Sequence, residues 1–227
     1  VAVAFNNTNT ATLTAGASVS TAMSVTAGGS NIVAFACVAW DGNTTATVTA
    51  ITYGGDAMTS CGAKATNGNS SGFCTQIFYR IAPKTGSNTL AITLSAASEV
   101  YANLVSFTGV DQTTPVRPST YQNTISQNNV NPFTMTISSN TSDLTMSIIS
   151  DDTGGTSTNQ TLDGSNTSGL IEMLHDHATT AASSITDTWS FAGAANIAMC
   201  GFSIQAASAG GATPLWGTPR LFMGVGN

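Results

Sequence analysis

Charge is what this 227-residue chain most lacks: five Lys and Arg, eleven Asp and Glu and two His give a formal net charge of −6. Five cations cannot neutralise a run of phosphates, so nucleic-acid binding through a basic face is excluded. Low charge combined with 41% hydrophobic residues also excludes disorder driven by self-repulsion. Stretches rich in Ala, Glu, Lys and Leu at helical spacing are missing, which excludes a helical bundle. No apolar run reaches the ~20 residues that span a bilayer; the longest, residues 32–40 (IVAFACVAW), has the length of a strand. The opening VAVAF carries neither Met nor a basic stretch, so no signal peptide is legible there.

Cysteine is scarce as well, with four residues and no C-x-x-C spacing, which argues against a zinc knuckle. Cys61 and Cys74 flank a Gly/Asn/Ser loop, and a disulfide closing that loop is expected, worth ~3 kcal/mol of unfolded-state entropy. Cys37 and Cys200 lie inside apolar runs, as small buried hydrophobes do; a bridge between them is the lesser alternative.

What the chain has in abundance is hydroxyl: Ser and Thr together number 63, beside 22 Gly. Thr, Val and Ile are stiff at the first side-chain torsion and favour the pleated strand. Short runs of them are separated by turn dipeptides such as Asp41-Gly42, Gly54-Gly55 and Asp163-Gly164. Strands are expected near 2–5, 11–15, 20–26, 31–40, 46–53, 73–81, 88–95, 99–108, 133–138, 142–150, 169–175, 185–191 and 196–206. Leu90, Ile92 and Leu94 alternate with Thr89, Ala91 and Thr93, the mark of a sheet with one dry and one wet face. The fold class is therefore all-β: an antiparallel two-sheet sandwich, jelly-roll-like.

An internal echo points to two similar halves sharing one core. Residues 87–110 resemble 184–206 at an offset of 95, with Leu90 matching Ile185, Leu94 matching Trp189 and Phe107 matching Phe202. Residues 32–45 echo 144–157 more loosely. The Pro-rich segment 109–132 reads as the crossing between halves. Residues 1–206 thus form the sandwich domain, and 207–227 an extended C-terminal arm. The arm carries Leu215, Trp216, Leu221, Phe222, Met223 and Val225, broken by Pro214 and Pro219, and cannot fold alone. Those six side chains are the candidate interface.

Three strings carry a resemblance to a family. These are ITYGGDAMTSCG (51–62), IFYRIAPKTGSNTLAITLS (77–95) and LVSFTGVDQTTPV (104–116). Together they resemble poorly characterised β-sandwich proteins of tailed phages and of large bacterial surface proteins. The matching residues include Tyr53, Gly54, Gly55, Tyr79, Pro83, Gly86 and Ser106 through Pro115, and they cover about half the chain. The resemblance implies a virion-surface or cell-surface sandwich and offers no catalytic residue to carry over.

Candidate chemistry is sparse. Glu172, His175 and His177 are the candidate metal ligands, since both imidazoles share one side of a strand and a carboxylate lies close in sequence. Asp151, Asp152 and Asp163 around a Gly-rich loop could supply oxygens to calcium, although the spaced acidic loop is absent. Trp40, Tyr121 and Trp216 are the candidates for stacking on sugars. Ser is too abundant to single out a nucleophile, and no pair of carboxylates stands apart as a glycosidase would need.

The expectation is a non-enzymatic structural protein of a virion surface (head decoration or fibre) or of an extracellular filament. Its partners would be copies of itself or another virion or appendage protein, with no cofactor, no nucleic acid and no membrane insertion. A carbohydrate-binding module that recognises glycans is the alternative, and a secreted hydrolase the second.

Overall fold

The computed structural model describes residues 2–67, 72–124, 127–157, 159–168, 171–178 and 180–208, all of them strand, turn or loop. Among them no helix is long and apolar enough to cross a membrane. The strands of the first half are β1 (Ala4–Val25), β2 (Val33–Asp41), β3 (Val48–Tyr53), β4 (Asp56–Ala57), β5 (Thr59–Ser60), β6 (Ala65–Thr66), β7 (Cys74–Ile81) and β8 (Gly86–Thr108). The second half adds β9 (Gln122–Asn123), β10 (Gln127–Val130), β11 (Phe133–Ser138), β12 (Leu144–Asp151), β13 (Gly155–Ser157), β14 (Thr161–Ser168), β15 (Ile171–His177), β16 (Ser184–Phe191) and β17 (Ala195–Ile204).

The all-β antiparallel sandwich is what forms, but with more layers than two. Strands β1 and β8 pair along their whole length, from Ala4↔Thr108 to Val25↔Gly86, with irregularities between Leu13 and Ser18. The inner end of β8 (90–94) also pairs with β3, and its outer end (99–107) with β2. The long β1–β8 pair therefore carries the first sheet around on itself until it nearly closes. Ala34, Ala36, Val38 and Trp40 of β2 face Ile51, Tyr53, Leu90 and Ile92 across the enclosed core.

The second half repeats this topology with the long strands cut in two. Where β8 pairs with β1, β2 and β3, strand β17 pairs with β10 and β12, and β16 with β11 and β13. Strand β12 lies between β17 and β15 as β2 lies between β8 and β7. The pairs Val33↔Phe107 and Met146↔Phe202 fix the equivalence, and 107 and 202 are the positions matched by the sequence echo. Residues Met135, Ile137, Ile149, Leu174, Trp189 and Phe191 fill the inner core of this half.

A third core joins the halves face to face. Phe35 packs on Phe107 and on Phe202 with ring centroids 6.0 and 5.3 Å apart, among Tyr101, Ile148 and Met173. The crossing segment is stapled rather than loose. Asp111 Oδ1 accepts the N–H groups of Thr113 and Thr114, both at 2.8 Å, and these bonds hold its carboxyl below the ordinary range. Asp111 N–H donates to Gln205 O, and Gln205 N–H donates to Pro115 O. The string GVDQTTP thus clamps the last strand of the chain.

Trp40 is fully buried in the inner core of the first half. Trp40→Ala should cost about 3–5 kcal/mol in equilibrium urea unfolding. Leu162→Ser, at an exposed position, should stay within about 0.5 kcal/mol of the parent.

Candidate functional site at the seam between the halves

The seam core turns polar where β1 lies against β14 and β15. Strand alternation aims Thr8 and Thr12 at the second half, while Asn7 and Asn9 turn the other way and bond to Ser24. His175 is fully buried there. The Asn103 amide donates to its Nδ1 at 2.9 Å, which leaves Nε2–H to donate to Thr8 Oγ1 at 3.1 Å. Burial, with the neighbouring His177 as a lesser cause, pushes the imidazole down to about 3. A Cβ at Gly164 would stand 2.6 Å from its Cε1, so the opposite strand must carry glycine to admit the ring. Beside this group Thr12 Oγ1 donates to Asn166 Oδ1 at 2.5 Å.

His177, two residues on, closes the rim. Its Nδ1 meets both Asp163 oxygens at 2.7 and 2.8 Å, and its ring stacks on Phe5 with centroids 5.3 Å apart. Burial raises the Asp163 carboxyl above its ordinary range, and the contact with His177 offsets part of that rise. The arrangement ties His177 to Asp163, and it locks a neutral ring at 175. These are fastening roles, because both nitrogens of His175 are already bonded.

The three candidate metal ligands are not brought together. His175 and His177 do share the seam face of β15. Glu172 differs in parity and takes the opposite face, where it accepts from Thr167 Oγ1 at 2.9 Å. Among the described residues no group of three or more His, Cys, Asp or Glu could hold a metal. The calcium reading fails on the same ground: Asp163 is committed to His177, while Asp152 bonds to Asn196 at the far end of β12.

Nor does the expected Cys61–Cys74 disulfide form, since all four cysteines are free. Cys74 points into the inner core of the first half, whereas Cys61 packs against the seam core on the other side of the sheet. Cys37 and Cys200 also line the seam core, and the Cys200 thiol donates to Thr75 O at 3.5 Å. Burial raises every one of these thiols, Cys74 to about 11, so none is a ready nucleophile.

Two of the three sugar-stacking candidates, Trp40 and Tyr121, are occupied within the protein. Trp40 is in the core with its indole N–H donated to Asn43 O at 3.3 Å. Tyr121 donates to Ala63 O at 2.7 Å and stacks on Phe202, and a Cβ on Gly62 would fall 2.3 Å from its ring. Trp216 lies outside the described residues, as do the other candidate interface residues Leu215, Leu221, Phe222, Met223 and Val225.

Two polar clusters went unseen in the sequence. Asp143 is fully buried and accepts from Arg117 Nε, Ala206 N–H and Ser203 Oγ. Burial acts to raise its carboxyl, but the Arg117 contact and the Ala206 N–H outweigh that and hold it low. The second cluster joins Ser147, Asp176 and Asp187 between β12, β15 and β16. No sequence signal marks either, because Asp and Ser occur throughout the turns.

No protein-family model, curated protein or solved structure matches this chain.

Between about pH 6.5 and 4 the unfolded chain protonates His175 while the folded chain does not, so acid should erode stability in that window. The difference in unfolding free energy between wild type and His175→Leu should therefore shrink as pH falls, measured by urea titration at each pH. Alkylation of the denatured, unreduced protein should label all four cysteines by mass spectrometry; any protected pair would contradict the free thiols.

Proposed function

We propose that the chain is a structural building block of an extracellular assembly, a virion surface or a filament, joined to its neighbours through the apolar arm. One observation carries this reading: among the described residues the sandwich fills three cores with its own side chains, which lie between Val3 and Ile204, with Ala206 packed at the margin. The exit is then fastened, with Ala206 N–H donated to Asp143 at 2.9 Å and Ala207 N–H to Gly109 O at 2.8 Å.

The surface supports the same reading. Among the described residues only Phe5 and Leu162 are exposed large hydrophobics. That offers the six apolar side chains of the arm little to cover on their own subunit. Burying one such side chain is worth about 1.5–3 kcal/mol, so a neighbour that accepts several of them gains a firm joint. Charge-poor, hydroxyl-rich strands remain wetted without strong fields that would repel identical copies. The likeness of GVDQTTP and the two hairpin strings to phage and bacterial surface sandwiches points in the same direction.

Ending the chain after residue 208 should leave thermal unfolding of the sandwich unchanged and abolish self-association or incorporation into the native particle. Light scattering and electron microscopy read the second outcome. Normal assembly of the shortened protein would refute the role given to the arm.

A further inference from the structure

The inner cores of the two halves are built alike but filled differently. Topological equivalence places Ser147 where the first half has Ala34, since Ala34 pairs with Ser106 and Ser147 with Gly201 at the same offset. Asp187 stands where the first half has Ile92, by the offset that matches Leu94 with Trp189. The fold therefore closes with apolar residues at the places of Ser147 and Asp187, while at the place of Asp176 the first half carries Arg80 at the sheet's margin.

In the second half the places are filled by a bonded set of acids. Ser147 Oγ lies 2.8 Å from Asp176 Oδ1 and 2.6 Å from Asp187 Oδ2. The Trp189 indole N–H donates to Asp187 Oδ2 at 2.9 Å, and Asp176 and Asp187 meet through the one Ser147 hydroxyl. Both carboxyls are essentially dry, at 1% and 2% exposure. A hydroxyl has one proton to give, so two dry carboxylates sharing the Ser147 Oγ cannot both be charged and bonded without a cation between them. The groups sharing their face are Asp151 of β12 and Glu172 of β15, both acidic, while β11, β13, β16 and β17 add no other charge. At the end of that face, beyond Ser203, Arg117 is engaged with Asp143, and the two imidazoles lie on the far side of β15. Donor counting then places the proton. Asp187 receives the Trp189 N–H as well as the Ser147 contact, so it is the better anion, and Asp176 keeps the proton.

We propose that Ser147, Asp176 and Asp187 form a proton-operated latch that fastens the outer sheet of β11, β16 and β13 onto the sheet beneath, closed while one proton is shared and loosened when both carboxyls ionise. Burial raises Asp187, the donors around it offsetting only part of the rise. A folded state that keeps a proton the unfolded chain has lost is favoured at low pH, and the advantage fades as pH rises. Loosening would open the inner core lined by Met135, Ile137, Trp189 and Phe191 as one local unit, leaving the first half closed.

The test is hydrogen exchange on the full chain at several pH values, corrected for intrinsic rates. Protection of the β11 and β16 amides should fall by roughly tenfold or more, relative to β2 amides, between about pH 6 and 9. Asp176→Asn keeps an N–H donor toward Ser147 at every pH, so it should flatten the profile. A flat wild-type profile, or a variant that tracks the wild type, would overturn the latch. A second reading needs no variant: the infrared spectrum of the wild type at about pH 8 should keep the C=O band of a protonated carboxyl. Asp151, raised to about 6, is ionised there and cannot supply that band. Absence of the band would overturn the proposal even if Asp176→Asn did not fold.

Discussion

Strand β2 has no wet side. Val33, Phe35, Cys37 and Ala39 line the seam core, and Ala34, Ala36, Val38 and Trp40 line the inner core of the first half. A strand that is dry on both faces needs a layer above and a layer below, so the sheet must curl around one face and a second body must cover the other. Strand β12 poses the same demand in the second half, with Met146 and Ile148 toward the seam and Ile149 toward its own inner core. Each half therefore presents one unsatisfied apolar face, and each satisfies the other. The hydroxyl-rich strands lie where water remains, and the long β1 and β8 are what allow a single sheet to serve two layers.

Much of this is legible in the residues. The nine-residue run ending at Trp40 is too uniformly apolar for a half-wet strand, and Leu90, Ile92 and Leu94 declare their dry face by alternation. The echo between 87–110 and 184–206 corresponds to equivalent strand pairings. What pattern reading breaks apart, the structure joins: expected strands at 2–5, 11–15 and 20–26 are one strand, β1, because its interruptions at Phe5 to Asn7 and Leu13 to Ser18 are register shifts within a continuous strand rather than turns. Such irregularities have no composition of their own in a chain this rich in Ala, Ser and Thr.

The site was less legible, for reasons of parity and distance. Glu172 lies three residues from His175 and five from His177, and odd separations along a strand put side chains on opposite faces. Cys61 and Cys74 look suited to a bridge until β7 is seen to send Cys74 and Phe78 inward and Thr75 and Ile77 toward the seam. The partners of His175 come from 167 and 72 residues away, which no local pattern can announce. The same holds for Asp187 and Ser147, brought together across 40 residues by the stacking of two sheets.

The pairing of β1 with β8 also sets a schedule for synthesis. Strand β1 is complete at Val25, yet its first partner residue is Gly86 and its last is Thr108. At a translation rate of about 5–20 residues per second, the nascent strand waits on the order of 3 to 12 seconds for β8 to begin and about 4 to 17 seconds for it to be complete. During that interval twenty-two residues of strand former have an unclaimed edge. Their makeup suits the wait: Asn6, Asn7, Thr8, Asn9, Thr10 and Thr12 make a polar ribbon that water can hold open until the matching strand arrives.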